Sequence, residues 1–219
     1  MGKKQKIENI IPDKKYIRKV QSRNKRQEEY IQAIREFPIT IGVGAAGSGK
    51  SYLAISEATI DFDANNVARI ILVRPAVPSE DIGYLPGTLE EKLDPHIRPL
   101  FDALIDRWAP EKVKKRIELG EIEIVSLGYC KGRTFTNCFV ILDEAQDTTP
   151  EQMRLFLTRI GEYTTVVITG DPQQSEIKEK NGLQFAIEKL YNCPVVKIVK
   201  FEKEHIVRSD VVKKLMEYI

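Results

Sequence analysis

From residue 24 onward, short runs of apolar, β-branched residues alternate with amphipathic stretches. The apolar runs predict strands at 38–44, 68–74, 121–127, 138–144, 164–171 and 195–201. Helices are predicted at 26–36, 50–61, over most of 89–119, and at 150–160, 182–191 and 209–218. This alternation is typical of a mainly parallel sheet with helices on both faces. Residues 74–87 are rich in proline, so they are predicted to be irregular and are a candidate binding element.

The composition fits one domain. The chain has 219 residues, of which 42% are hydrophobic, enough for one well-packed core and too few for two large domains. The net charge of +2 conceals a basic N-terminus, because the first 27 residues carry ten Lys and Arg against two acids. We therefore predict a basic arm at 1–23 and one α/β domain at 24–219. The arm is either a solvated segment or a contact to the phosphate backbone of a nucleic acid.

The cysteines and the apolar runs bear on location. Cys130, Cys138 and Cys193 lack metal-ligand spacing, which favours reduced structural thiols over a disulfide framework or a zinc site. No apolar run is long enough for a signal peptide or a membrane span. We expect a soluble, cytoplasmic protein with no membrane contact.

A glycine-rich turn carries the strongest chemical signal. Residues 44–51 read GAAGSGKS, which fits G-x-x-x-x-G-K-[S/T] between a predicted strand and a predicted helix. Such a loop wraps a phosphate with inward backbone N–H groups at the positive end of a helix. Lys50 is predicted to reach the β- and γ-phosphates and Ser51 to bind Mg²⁺; the alternative is a chance glycine turn. The predicted nucleotide contacts here are Gly44, Ala45, Ala46, Gly47, Ser48, Gly49, Lys50, Ser51 and Tyr52.

Two acids end the apolar run at 138–144. Four consecutive apolar residues before them indicate a strand buried on both faces, so the acids are expected at the sheet edge where the glycine-rich turn also opens. Asp143 is predicted to hold the Mg²⁺ shell, and Glu144 to orient and deprotonate the attacking water. The alternative is a pair of acids that only ends a strand.

Two glutamines are further candidates. Gln174 follows the run at 164–171 and could sense the γ-phosphate through its amide. Gln27 begins the first predicted helix and could bond adenine N6 and N7 in a bidentate fashion, the geometry by which glutamine reads adenine in DNA. An ordinary surface glutamine is the alternative for Gln27. No Asn-Lys-x-Asp pattern, which would select guanine, follows residue 171, and its absence favours ATP.

Together these segments resemble a known family. The residues 24–27, DEAQ (143–146) and GDPQQ (170–174) are similar to superfamily 1 helicase motifs. The stretches LVRPAVPSEDIGYLPG (72–87), EEKLDPHIRPLFDAL (90–104) and KGRTFTNCFVILDEAQDTTPEQMRLFLTRIG (131–161) resemble the PhoH-like P-loop ATPases more closely. The resemblance implies a single RecA-like P-loop NTPase domain, assembled into a homo-oligomeric ring, with a hexamer favoured, and a role in RNA handling.

One RecA-like domain cannot supply both sides of an ATP cleft, so an arginine is expected from a neighbouring copy in the ring. Arg208 is the first candidate for this catalytic role, and Arg159 and Arg133 are the alternatives. His205 stands where the family usually has an aspartate before Val-Arg, which leaves the local partner of Arg208 open. A histidine in this place is expected to pack or lie on the surface rather than to act in catalysis.

The sequence thus predicts an ATPase that uses ATP and Mg²⁺ and couples hydrolysis to binding or remodelling of single-stranded RNA or DNA. The basic arm, the loop at 131–134 and Arg74 are candidate nucleic-acid contacts. The alternative is an ATP-dependent switch or assembly module that acts on a protein partner. A small-molecule kinase is disfavoured by Glu144 and Gln174, and no intrinsic RNA cleavage is expected because no PIN-type nuclease segment is recognised.

Overall fold

A computed structural model describes residues 21–75, 97–175, 177 and 179–207. Within these ranges the strands are β1 (Ile39–Gly44), β2 (Arg69–Arg74), β3 (Ile122–Ser126), β4 (Cys138–Leu142), β5 (Thr165–Gly170) and β6 (Val196–Phe201). The helices are α1 (Lys25–Glu36), α2 (Lys50–Asp63), α3 (Arg98–Ile105), α4 (Pro110–Glu118), α5 (Pro150–Leu157) and α6 (Gly182–Leu190). The predicted arm and the predicted helix at 209–218 lie outside the described residues, apart from residues 21–23 of the arm.

All six strands pair in parallel in the order β3-β2-β4-β5-β1-β6. Strand β1 is therefore internal, and β5 separates it from β4, the strand that ends in the two acids. Because parallel strands share one carboxyl edge, the segments that follow β1, β2, β4 and β5 meet at that edge. This single parallel sheet flanked by helices confirms the predicted RecA-like fold class.

The core has two layers, one on each face of the sheet. Successive residues of β2 alternate between them, since Ile70 and Leu72 pack with α1, α2, α3 and α4 while Ile71 and Val73 pack with α5 and α6. All four side chains are at most 1% exposed. Burial on both faces explains why these strands have continuous apolar sequences, and each such side chain contributes about 1.5–3 kcal/mol to folding.

Side-chain caps define several helix starts. The Asn24 side chain accepts a hydrogen bond from the backbone N–H of Gln27 and so begins α1. Helix α5 begins with a reciprocal capping box between Thr149 and Gln152. These caps fix where the two helices begin.

The predicted helix over most of 89–119 is interrupted in the part that the structure describes. Helix α3 ends at Ile105 and α4 starts at Pro110, with Ala109 extended at φ −56° and ψ 143°. Proline disfavours helical backbone in the residue before it but is well suited to the first turn of a helix, so a new helix begins at Pro110. Between the helices, the Trp108 indole N–H donates to Asp63 at 2.8 Å and Arg116 stacks 3.9 Å from the Trp108 ring centroid.

The three cysteines are free, as predicted. Cys130 and Cys138 are buried, and burial raises the pKa of the Cys130 thiol to about 11. Among the described residues, no helix combines the length and the apolar character needed to cross a bilayer.

Candidate active site

The glycine-rich turn at 44–51 links the end of β1 to the start of α2, where the sequence predicted it. Its backbone requires glycine at Gly44, which has φ 128°, because an added Cβ would lie 2.0 Å from the carbonyl oxygen of Phe201. Gly49 has φ 86°, and a Cβ there would lie 2.9 Å from Nε2 of Gln27. The ends of β6 and α1 therefore pack so closely against the loop that a side chain at these two positions would clash. Residues with a side chain also rarely adopt such φ values.

Lys50 is folded back onto this loop. Its Nζ donates to the carbonyl oxygens of Gly44 at 2.6 Å and Ala45 at 2.9 Å, and to Oγ of Ser48 at 3.2 Å. Only 7% of the residue is exposed. Burial lowers the pKa of Lys50, although the nearby carboxylates, Asp171 foremost, act in the opposite direction. The loop carbonyls thus hold an ammonium group at the start of α2.

Asp143 directly follows β4 and is the most heavily bonded acid of the site. Its Oδ1 accepts hydrogen bonds from the hydroxyls of Ser51 and Thr169, both at 2.6 Å. Its Oδ2 accepts from Nη2 of Arg74 at 2.8 Å. Since Asp143 is 2% exposed, these three donors replace the water that a buried carboxylate would otherwise need.

Glu144 has a left-handed backbone, with φ 55° and ψ 42°, an uncommon conformation for this residue type. Its side chain is 45% exposed, and Oε2 accepts a hydrogen bond from Nε2 of Gln146 at 2.7 Å. The Gln146 Oε1 in turn accepts from the backbone N–H of Asp171 at 3.0 Å. Strained backbone is concentrated at functional positions, and here it carries an acid into a cleft.

A cleft of about 240 Å³ opens between the loop and the acids. Among the predicted site residues, those that line it are Ala46, Gly47, Gly49, Lys50, Ser51, Tyr52, Asp143, Glu144 and Gln174. Gly170 and Asp171 complete the lining. Gln174 ends a 3₁₀ turn, Pro172–Gln174, and is exposed. The structure therefore brings the predicted lysine, serine, two acids and Gln174 around one space.

Gln27 lies beneath the loop rather than on the surface. Gln27 is 4% exposed. Its Nε2 donates to the carbonyl oxygen of Ser48 at 2.9 Å, and its Oε1 accepts from the backbone N–H of Arg23 at 2.8 Å. This corrects the surface alternative. In this structure the Gln27 side chain therefore supports the glycine-rich turn. A bidentate contact to adenine would require both of these hydrogen bonds to break.

The segment after β6 also touches the loop. The backbone N–H of Val207 donates to the carbonyl oxygen of Gly47 at 3.2 Å, and the carbonyl of His205 accepts from Nδ2 of Asn24 at 3.2 Å. The His205 ring accepts from the backbone N–H of Glu202 through Nδ1 and packs edge-on against Phe201. His205 is therefore a packing residue, as expected.

The candidate arginines are not gathered at this cleft. Arg133 donates to Glu123 at 2.6 Å, close to the start of β3 and thus toward the opposite edge of the sheet. Arg159 donates to Oγ1 of Thr158 at 3.3 Å. Arg208 lies outside the described residues. An arginine that acts on a neighbouring copy need not line the cleft of its own chain, so these positions leave the trans-acting candidates open.

Sequence reasoning did not assign a role to Gln146, Thr169 or Asp171. Its place as the last residue of the DEAQ motif was the one sequence feature that could have indicated a role for Gln146. Thr169 and Asp171 belong to the strand end beside Gln174. The bond from Thr169 to Asp143 and the electrostatic influence of Asp171 on Lys50 depend on β5 lying between β1 and β4.

The donor set fits a magnesium ion that also binds phosphate. Ser51 and Asp143 offer hard oxygen ligands next to a phosphate-type loop, and Mg²⁺ usually takes only one or two protein ligands and keeps several waters. Within the described ranges no cluster of three or more His, Cys, Asp or Glu could hold a metal by itself. Ser51 and Asp143 are thus the residues that would hold such an ion.

A phosphate-type loop after an internal parallel strand, with paired acids after β4, defines the domain as a P-loop NTPase. The family model described as PhoH-like protein matches residues 19–219. The chain belongs to the PhoH-like family, as its sequence motifs indicated.

Curated relatives agree with this assignment. A PhoH-like protein of Mycobacterium leprae is 42% identical over 201 residues, covering 90% of this chain and 58% of the relative. A PhoH-like protein of Bacillus subtilis is 42% identical over 194 residues, covering 87% and 61%. Protein PhoH of Escherichia coli is 40% identical over 193 residues, covering 86% and 54%. The chain therefore spans somewhat more than half the length of these relatives.

Among solved structures, the Sulfolobus solfataricus SWI2/SNF2 ATPase core in complex with dsDNA aligns with 86% of this chain and 46% of that chain. The TM-score is 0.49 and the sequence identity is 13%. At this level the likeness carries no weight for function.

Proposed function

We propose that this chain binds ATP with Mg²⁺ and hydrolyses it. The observation that carries the proposal is the convergence of Lys50, Ser51, Asp143 and Glu144 on one cleft at the carboxyl edge of the sheet. A simple anion site would need the loop and its lysine, but not an acid bonded to the serine and a second acid directed into the same space.

Each side chain has a distinct proposed role. Lys50 exchanges its bonds to the loop carbonyls for the β- and γ-phosphates, and Ser51 and Asp143 hold Mg²⁺. The ion neutralises phosphate charge when bound. Glu144, fixed by Gln146, orients the attacking water and accepts its proton, and Gln174 contacts the γ-phosphate or that water. Gln27 supports the loop that holds the phosphates.

Steady-state ATP hydrolysis by the full chain, with ATP and GTP as competing substrates, tests this proposal. Glu144→Gln should retain nucleotide binding and lose at least about 100-fold in turnover, because it removes only the proposed base. Glu162→Gln is a matched control, since Glu162 is exposed and lies just before β5, at the opposite edge of the sheet. Equal turnover by both variants would contradict the assignment of Glu144.

We further propose that hydrolysis is coupled to single-stranded RNA or DNA. The support is chemical: ten basic residues in the first 27 can neutralise phosphates, and Lys131 is exposed beside the left-handed Gly132. Stimulation of turnover by one nucleic acid, with binding that weakens steeply in salt and is lost when residues 1–23 are removed, is the expected result. Hydrolysis indifferent to nucleic acid, with salt-insensitive binding of a protein, would instead favour the switch.

A homo-oligomeric ring is proposed for the same reaction. Among the described residues no arginine lines the cleft, and Arg74 is engaged with Asp143 behind it. A neighbouring copy would supply the missing cation, with Arg208 the first candidate. Native mass at the assay concentration should show a closed ring, and Arg208→Ala should bind ATP normally while turning it over orders of magnitude more slowly.

A further inference from the structure

Arg74 occupies an unusual position for a basic side chain. It is the last residue of β2, beside β4 in the sheet, and the backbone N–H of Asp143 donates to the carbonyl oxygen of Val73 at 3.0 Å. The Arg74 guanidinium reaches Oδ2 of Asp143 at 2.8 Å, with side-chain exposures of 15% and 3%. The pair is therefore largely removed from water, at the carboxylate that is proposed to face the metal.

This arrangement leaves Arg74 incompletely satisfied. Its Nε is buried and has no hydrogen-bond partner among the residues that the structure describes. The next carboxylate oxygen, Oε1 of Glu144, lies 3.9 Å from Nη2, near enough for attraction but too far for a hydrogen bond. Guanidinium groups bind carboxylates best through two parallel bonds, whereas Arg74 makes a single bond to Asp143.

Two cations at one carboxylate must share its single negative charge. Asp143 Oδ1 already accepts two hydroxyl hydrogen bonds and Oδ2 accepts from Arg74. A divalent cation held by Ser51 and Asp143 would lie within a few ångströms of the guanidinium, and like charges in such a poorly hydrated place repel strongly. Asp143 bonded to Arg74 is therefore a weaker ligand for the metal than Asp143 without that partner.

We propose that Arg74 is an exchangeable counter-ion for Asp143. In the metal-free protein Arg74 neutralises the buried carboxylate, and it moves to Glu144 when Mg²⁺ and nucleotide enter. This inference rests on the proposed nucleotide site and adds a residue that tunes its metal dependence. In this proposal Arg74 is a positioning residue of the site, and its predicted contact with a nucleic acid stays a prediction.

A permanent ion pair is the competing explanation, and it predicts the opposite effect. If Arg74 stays on Asp143 to orient it for the metal, its removal should weaken the contribution of Mg²⁺ to nucleotide binding. If Arg74 must leave, its removal should strengthen that contribution. In EDTA the uncompensated charge of Asp143 would then weaken nucleotide binding, and in Mg²⁺ no guanidinium would compete with the ion for Asp143.

The test is the binding of a fluorescent ADP analogue to the full chain, in excess EDTA and in saturating Mg²⁺, which requires no turnover. The quantity compared is the Kd in EDTA divided by the Kd in Mg²⁺. Arg74→Gln should raise this ratio at least about tenfold, the effect expected from a charge-assisted hydrogen bond. Arg74→Lys, which retains a charge but not the planar fork, should raise it by a smaller factor.

Arg69→Gln is the matched control. Arg69 begins the same strand and donates to Glu123 at 2.9 Å, far from the cleft, so the ratio should equal that of the wild type. An unchanged or lower ratio in Arg74→Gln would overturn the proposal; if that variant does not fold, the same outcomes in Arg74→Lys decide. A wild-type chain that binds no nucleotide in either buffer would overturn the proposed function along with this inference, whereas binding without the shift overturns this inference alone.

Discussion

The bond between Gln146 and Glu144 offers the sharpest test of how the site is built. Gln146 is 2% exposed and connects Glu144 to the backbone N–H of Asp171 through the two ends of its amide. Gln146→Leu keeps a side chain of similar size but removes both hydrogen bonds. Two separable effects are expected, one on stability and one on turnover.

The stability cost follows from what is left unpaired. Asp171 is 7% exposed, so its N–H would lose its partner in a buried place, which costs about 1–3 kcal/mol. Glu144 has a 45% exposed side chain, so water can replace much of its lost bond and little is added there. For a chain of this size the midpoint of thermal unfolding should fall by roughly 2–12 °C.

The effect on turnover follows from geometry. Without Gln146 the Glu144 carboxylate is free to rotate away from the water that it is proposed to orient. General-base catalysis contributes about 10²–10⁴-fold, and loss of orientation alone should remove about 10- to 100-fold of kcat. KM should change little because Gln146 does not line the cleft. Thermal unfolding and steady-state ATP hydrolysis measure the two effects on the same preparation.

Gln32→Leu is the matched control. Gln32 also bonds a glutamate, since its Nε2 donates to Glu36 at 2.9 Å, but it does so on the exposed face of α1. It should therefore cost less than about 0.5 kcal/mol and leave kcat unchanged. Unfolding and turnover in Gln146→Leu that match those of Gln32→Leu would refute the reasoning about both bonds.

The other predictions concern the loop and the thiols. Gly44→Ala should destabilise by about 3 kcal/mol or more in urea unfolding, because its Cβ would meet Phe201 at 2.0 Å, whereas Gly120→Ala, with φ 71° and open space, should cost only about 1 kcal/mol. The half-buried Cys193 should react with a maleimide before the buried Cys130 does, as mass spectrometry of the labelled chain would show. The raised pKa of Cys130 keeps the thiol protonated in the folded chain, whereas the same thiol ionises near pH 9 in the unfolded chain, so stability is lost as pH rises from 9 to 11. Cys130→Ala should reduce that loss by about 2–3 kcal/mol, as unfolding curves recorded at each pH would show. Equal pH slopes in both proteins would count against a buried thiol.

The sequence was sufficient where the signal is local. A strand, a glycine-rich turn and a helix follow one another without interruption at 39–63, and each imposes a distinct pattern on neighbouring residues. The buried strand before Asp143 and Glu144 is equally local. Their meeting at one edge needed only the rule that parallel strands share a carboxyl end.

Contacts set by strand order and helix packing were beyond the sequence. Arg74 meets Asp143 because β2 lies beside β4, and Thr169 meets it because β5 lies on the other side. Gln27 braces Ser48 only because α1 packs under the loop. Nothing in the spacing of these residues along the chain indicates such pairings. The break before Pro110 had a local signal, since an Ala-Pro step disfavours a continuous helix.

The site holds its charges in internal bonds. Lys50 is hydrogen-bonded to loop carbonyls, Arg74 to Asp143, and Glu144 to Gln146. A ligand that supplied only phosphate could compete for Lys50 but would leave Arg74 on Asp143. A ligand that brought phosphate and a divalent cation together would release both cations at once, and the freed Arg74 would have Glu144 as its nearest acid in the described structure. If Arg74 exchanges partners as proposed, the internal pairs would favour the metal complex of a nucleotide over the nucleotide alone, and they would link metal binding to the charge around the proposed base.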